Sequence, residues 1–89
     1  MNISEVQIHL VNEDKLKAYA TIILDGAFVV RDIKVIQGLD GLFVAMPAKK
    51  RKDGTFRDVA HPINQEARQL VEERVLRAYE QKLAEGGSG

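Results

Sequence analysis

The chain has 89 residues, which is enough for one small domain with a single core. Thirteen Lys and Arg residues balance thirteen Asp and Glu residues, which argues against a protein coated in positive charge, such as a histone-like architectural protein. The absence of cysteine excludes disulfides, thiolate chemistry and cysteine-ligated zinc, and no apolar run approaches the roughly 18 residues that span a bilayer. We therefore expect a soluble cytoplasmic protein that has no membrane partner.

Two strands joined by a turn are predicted at the start of the chain. Polar and apolar residues alternate in EVQIHL, residues 5–10, with the period of a half-buried strand. A turn cluster follows at residues 12–14, and every second residue is apolar in residues 16–24. The dipeptide Asp25-Gly26 then predicts a hairpin turn, because glycine readily adopts a positive φ.

A third strand is predicted in the β-branched and aromatic run AFVVRDIKVI, residues 27–36. Its alternation slips, because the apolar residues up to Val30 lie on one face and those from Ile33 onward lie on the other. A β-bulge near Arg31-Asp32 would explain the slip. A strand buried on both faces, or one that passes between subunits, would explain it equally well.

The middle of the chain predicts a fourth strand and a basic loop. Residues 37–41, QGLDG, form a turn-rich break, and residues 42–46, LFVAM, form a short apolar strand that Pro47 stops. Residues 49–54 are predicted to be a loop, and residues 55–60 a short return strand. Two apolar residues of that return strand are expected to face inward, Phe56 and Val59.

The last third of the chain changes to the period of a helix. Asn64 is the predicted N-cap, and the pair Gly86-Gly87 is predicted to end the helix. Spacings of three, four and seven define one apolar stripe, formed by Ala67, Leu70, Val71, Val75, Ala78, Tyr79 and Leu83. Residues 1–85 would then form a single domain, and residues 86–89, GGSG, a flexible tail.

The predicted fold class is α+β, with an antiparallel β-sheet meander followed by one C-terminal amphipathic helix. A single helix covers one face of a sheet at most. The other face, or an unpaired edge strand, must therefore meet solvent or a second subunit.

Catalytic and metal-binding patterns are missing from the sequence. His9 occupies a polar position of an alternating strand and is expected to be exposed. His61 precedes Pro62 and is interpreted as a junction residue that bonds to the backbone. Glu72-Glu73 is interpreted as part of a solvated helix face, since adjacent helical residues point about 100° apart. We expect no enzyme activity, no cofactor, no metal and no small-molecule substrate.

Residues 49–57 carry five cations and one anion, Asp53, for a local charge of +4. The candidate nucleic-acid-binding residues are Lys49, Lys50, Arg51, Lys52 and Arg57. Such a cluster can be a soluble loop tip that discourages edge-to-edge sheet pairing, or a surface that binds phosphates and releases counterions. The two arginines could contact guanine edges. Phe56 could stack on a base, although its place in the apolar alternation favours core packing.

Three segments carry a resemblance to a known family. These are GLFVAMPAKKRKDGTFRDVAHPI at residues 41–63, LDGAFVVRDIKVIQG at residues 24–38 and VLRAY at residues 75–79. In order and spacing the sequence resembles the SpoVG family, the bacterial stage V sporulation protein G or septation regulators, over about residues 3–80. The resemblance implies a small α+β fold that dimerises through its sheet. It also implies a cytoplasmic bacterial regulator that binds DNA and, in some members, RNA, with roles in septation, sporulation and gene expression.

The basic loop departs from the family pattern in part. Lys49 and Lys50 fall where the family has its basic pair, whereas Arg51-Lys52 stand where many members have Thr-Pro. Thr55 replaces a frequent acidic residue, and Ala48 replaces a small hydroxyl residue. We therefore expect a more basic loop than is typical, in a homodimeric nucleic-acid-binding regulator. The alternative is an adaptor that binds division or regulatory proteins, with incidental nucleic-acid binding.

Overall fold

The computed structural model describes residues 1–86, which form two β-sheets and one helix. The predicted Gly/Ser tail lies outside the described residues except for Gly86, where the helix ends. The elements are β1 (Ile3–Glu13), β2 (Leu16–Leu24), β3 (Phe28–Gly38), β4 (Gly41–Ala45), β5 (Ala48–Lys50), β6 (Phe56–Asp58) and α1 (Gln65–Gly86). The predicted α+β fold, an antiparallel meander followed by a C-terminal helix, is confirmed.

The first four strands form one antiparallel sheet in the order β1-β2-β3-β4. Strand β2 has the predicted bounds, and β1 is longer than the predicted strand at residues 5–10. It is longer because β2 is paired along its whole length, from Leu24 opposite Ile3 to Leu16 opposite Glu13. Backbone pairing therefore continues beyond the segment in which polar and apolar residues alternate.

A β-bulge at Arg31-Asp32 interrupts the pairing of β2 with β3. Ile22 pairs with Val30 and Ala20 pairs with Ile33, so that one residue of β2 lies opposite two residues of β3. Asp32 has a φ of 62°, in the left-handed region that β-bulges use. The bulge confirms the explanation from the slipped alternation, because it brings Val30 and Ile33 to the same face of the sheet.

The turn between β2 and β3 is the predicted hairpin. Both central residues have a positive φ, 52° for Asp25 and 63° for Gly26, as in the turns that match the twist of antiparallel strands. The Ala27 N–H donates to the Leu24 carbonyl oxygen at 2.8 Å. The Gly26 N–H donates to the hydroxyl of Ser4 at 2.9 Å, which ties the turn to the start of β1.

The core lies between α1 and one face of the four-stranded sheet. The Ala67 N–H donates to the Asn64 side-chain oxygen at 2.7 Å, which confirms Asn64 as the N-cap. Leu83, which belongs to the predicted stripe, is exposed, because residues 80–85 at the end of the helix extend past the core. The buried core residues are Ile3, Ala18, Ala20, Ile22, Ile33, Val35, Val71, Val75 and Tyr79.

The opposite face of this sheet, here called the open face, has no helix over it in the described chain. Strand register places Tyr19, Lys34 and Ala45 across it in one row, and Ile36 and Phe43 in the next. This arrangement agrees with the prediction that one helix leaves one face to meet something other than the core. The described residues include no helix that combines the length and the apolar composition needed to cross a membrane.

Candidate nucleic-acid interface

The candidate cations lie on a separate two-stranded sheet, β5 paired with β6, here called the basic hairpin (residues 47–59). At its tip the Arg51 N–H donates to the Thr55 carbonyl oxygen at 2.7 Å, and the Gly54 N–H donates to the Arg51 carbonyl oxygen at 3.0 Å. Gly54 has a φ of 92°, which favours glycine. At the base, the Val59 N–H donates to the Pro47 carbonyl oxygen at 2.7 Å. Residues 49–54, predicted to be a loop, therefore begin as a strand and end as a tight turn.

The single anion among residues 49–57, Asp53, holds this turn in place. One of its carboxylate oxygens accepts hydrogen bonds from the Thr55 hydroxyl at 2.7 Å and from the Thr55 N–H at 3.0 Å. These bonds, the hydroxyl bond first, lower the pKa of Asp53 below its ordinary value of 3.8. Asp53 is therefore charged near neutral pH, and the net charge of residues 49–57 remains +4.

The register of the hairpin separates its side chains onto two faces. Lys49 lies directly opposite Arg57, whereas Lys50 lies opposite Phe56 on the other face. Arg51 shares the side of Lys49, since residues of a strand alternate between faces. We call the side of these three residues, Lys49, Arg51 and Arg57, the cationic face. Like charges directly opposite each other cost about 0.2–1 kcal/mol, so local stability does not explain this pairing.

All five candidate residues are exposed and line one surface depression of about 620 Å³, together with Asp58 and Val59. The fold therefore brings the whole predicted set together. Lys50 differs from the rest of the set in sharing its strand face with Phe56, and it reaches the depression from the rim. The sequence shows only that the five cations are near each other in the chain, whereas the strand register shows which of them share a face.

The expectation that Phe56 and Val59 face inward is wrong for the described chain. Their side chains are 70% and 69% exposed. The physical reason is that β5 and β6 pack against each other and against no other strand or helix among residues 1–86. No second layer covers the hairpin, so its apolar side chains have no core to enter.

A groove of about 930 Å³ runs between the basic hairpin and the open face of the main sheet. One wall is formed by the side of the hairpin that carries Ala48, Phe56 and Asp58, here called the groove face. The other wall includes Tyr19 and Val29 of the open face. Sequence analysis missed this groove, because alternation in residues 55–60 identifies a side of the strand without identifying what lies opposite it.

The other polar residues that the sequence singles out behave as expected. His9 is exposed on β1. His61 is exposed as well, and its Nδ1 lies 3.0 Å from the Pro62 carbonyl oxygen, which agrees with a junction residue that contacts the backbone. Glu73 forms an ion pair with Arg77 at 2.6 Å on the solvated face of α1. Residues 1–86 contain no group of three or more His, Asp or Glu side chains placed to hold a metal ion.

Comparison with known proteins connects this geometry to a family. The SpoVG family profile matches residues 1–81, which include both sheets and most of α1. The chain belongs to the SpoVG family. The resemblance in three sequence segments is thereby confirmed, and the match includes the whole basic hairpin.

Relatives from different bacteria carry the printed name "Putative septation protein SpoVG". The Bdellovibrio bacteriovorus protein is 61% identical over 98% of this chain and 81% of its own length. The Myxococcus xanthus protein is 56% identical over 100% of this chain and 90% of its own length. The Caldicellulosiruptor bescii protein is 45% identical over 97% of this chain and 99% of its own length. The SpoVG relatives are thus named for septation and not for an enzymatic reaction.

Proposed function

We propose that this chain is a homodimeric regulator that binds DNA, and RNA as a second polyanion, in the control of gene expression and septation. One observation carries the proposal: a chain of zero net charge holds five exposed cations together on one hairpin. Screening over about 8–10 Å lets such a cluster act independently of distant anions. Phosphates are the ligands whose binding to lysine and arginine gains most from counterion release.

The site is suited to grip a phosphate backbone. Its three cations on the cationic face project from one short strand pair, whose turn is closed by hydrogen bonds at Asp53 and Gly54. A turn held in this way loses less conformational entropy when it binds than a free loop does. Arg51 and Arg57 add the planar, bidentate geometry that can distinguish guanine from other bases.

A salt series tests the proposal. The variant in which Lys50, Arg51 and Lys52 are all changed to alanine should bind a labelled DNA duplex more weakly. It should also flatten the slope of log affinity against log salt by about 2.7 per subunit, at about 0.9 per phosphate. Fluorescence anisotropy measures both effects, and circular dichroism checks that the variant remains folded. The matched control changes three cations outside the hairpin, Lys15, Lys17 and Lys82. Equal slopes for the two variants would rule out the basic hairpin as the site.

The second candidate function is a protein-interaction adaptor for division or regulatory proteins. It is favoured by the exposed apolar side chains Phe56 and Val59, which a purely electrostatic site does not need. An isotherm at about 150 mM salt separates the two functions, since specific sites bind with Kd values of about 10⁻⁸–10⁻¹¹ M. Weak binding without any sequence preference would favour the adaptor. A mass of only 9.9 kDa in sedimentation equilibrium at micromolar concentration would contradict the homodimer.

A further inference from the structure

Phosphate binding does not account for the groove beside the basic hairpin. The groove is apolar at its centre, where three side chains are about half exposed or more: Val29 at 49%, Phe56 at 70% and Val59 at 69%. The candidate cations of the cationic face are not among its lining residues. Two distinct surfaces therefore lie back to back on one hairpin, a cationic surface and an apolar surface.

The basic hairpin also lacks support within the described chain. Its strands have three residues each, and they contact no other strand or helix of residues 1–86. An isolated two-stranded hairpin is marginally stable in water, and a covering layer is what normally orders one. The residues that such a layer would cover are Phe56 and Val59.

The charges of the groove indicate the kind of molecule that covers it. Three cations line it, Arg31, Lys34 and Arg68, together with two anions, Asp32 and Asp58. A polyanion favours an excess of one sign, as on the cationic face, whereas both signs around an apolar centre are typical of a protein interface. A two-fold axis lets a surface of this kind meet its own copy, with the cations of each protomer facing the anions of the other.

The size of the groove agrees with this kind of contact. Seventeen residues line it, close to the 20–30 residues that each partner contributes to a standard interface of about 800 Å² per side. The groove is also formed by two elements that move independently of each other unless something bridges them. A second copy seated in it would fix the hairpin against the open face.

We propose that the groove is the docking surface for a second copy of this chain, and that docking orders the basic hairpin for phosphate binding. The proposal rests on the proposed function, to which it adds the contact surface and a coupling between assembly and nucleic-acid affinity. The groove face packs on the partner subunit while the cationic face stays free for phosphates. Because such coupling is reciprocal, bound nucleic acid strengthens the dimer by the same factor as dimerisation strengthens nucleic-acid binding.

The test uses the full chain with Phe56→Ser and Val59→Ser, a double variant that keeps all five cations. The matched control is Leu39→Ser, because Leu39 is fully exposed in the turn after β3 and does not line the groove. Val29→Glu on the opposite wall is a second, independent disruption. Sedimentation equilibrium gives the mass, and anisotropy with a labelled 20-base-pair DNA duplex gives the affinity at fixed salt. Hydrogen exchange of the Arg51 N–H reports the order of the hairpin.

We expect the wild-type protein and the control to have twice the mass of 9.9 kDa, and both groove variants to be monomers. The variants should bind DNA at least tenfold more weakly than the wild type per protomer, and the Arg51 N–H should exchange faster. A double variant that remains a dimer would refute the docking surface. A monomeric variant with unchanged affinity per protomer would refute the coupling.

Two further outcomes separate this proposal from the proposed function. A wild type that dimerises through the groove but binds neither DNA nor RNA would overturn the proposed function and the coupling, and would leave the docking surface supported. A wild type that stays monomeric, and whose DNA binding still weakens when Phe56 is replaced, would show that nucleic acid itself enters the groove. That result would overturn the assignment of the groove to a second copy.

Discussion

The opposed pair Lys49 and Arg57 allows the sharpest test of the basic hairpin, because the two side chains are adjacent across β5 and β6. Replacing both by alanine removes two phosphate contacts per subunit and flattens the salt slope by about 1.8 per subunit, or about 3.6 for a dimer. Relative to 1 M salt, each contact is worth 0.9 log units per tenfold in salt, or about fivefold at 0.15 M. The double variant should therefore lose about 30-fold in DNA affinity per subunit.

The same change should not destabilise the protein. Both residues are exposed, and their direct opposition costs about 0.2–1 kcal/mol, which the substitution relieves. Thermal unfolding followed by circular dichroism should therefore show a Tm equal to that of the wild type or slightly higher. The matched control replaces Lys15 and Lys82, two exposed cations on the β1–β2 turn and near the end of α1.

The affinity series is best measured by anisotropy between about 50 and 200 mM salt, the range over which several phosphate contacts change affinity by orders of magnitude. If the Lys49 and Arg57 variant kept the wild-type slope, the cationic face would not contact phosphates. If the Lys15 and Lys82 control flattened the slope as much, the binding would reflect the overall charge and no particular surface. A lower Tm would show that the opposed pair has a stabilising partner, contrary to the register argument.

Three further predictions concern stability and pH. Ile33→Ala, at a side chain with 0% exposure, should lower the free energy of unfolding in urea by about 2–5 kcal/mol, and Ile63→Ala, at 88% exposure, by less than about 0.5 kcal/mol. Asn64→Ala should cost about 0.5–2 kcal/mol by the same assay, because it removes the N-cap bond. Thr55→Val should raise the pKa of Asp53 toward 3.8 in an NMR titration. Because the folded pKa of Asp53 is lowered, the stability that its bonds give the turn is present above about pH 4 and is lost as the pH falls through the folded pKa; an unchanged titration would contradict this.

The main sheet and the helix follow closely from the sequence, because their apolar periodicities are long. Nine residues of strict alternation give β2 its correct bounds. The slip between Val30 and Ile33 is enough to locate the bulge, although sequence alone leaves three explanations open. The N-cap Asn64 and the buried positions of α1 follow from side-chain chemistry and helical spacing. The exposed end of α1 does not, since a stripe does not show how far the sheet extends beneath it.

The basic hairpin is predicted less completely, because strands of three residues carry almost no period. The sequence identifies the five cations and the turn at Asp53-Gly54. It does not show that β5 and β6 form a sheet of their own, since that depends on the main sheet ending at Ala45. The error at Phe56 and Val59 has the same origin. An apolar residue in an alternating segment was expected to meet a core, but here it meets the groove.

The bulge at Arg31-Asp32 also makes the chain sensitive to length at one point. It acts as a change of phase, after which every residue of β3 lies on the face opposite to that set by the strand's beginning. Loss of one residue there would turn Lys34 toward α1 and Ile33 away from it. Replacement of a bulge residue has local effects, whereas insertion or deletion shifts the frame in which β3 and, through it, β4 are read. A natural insertion in this sheet is therefore expected at the turns and not at the bulge.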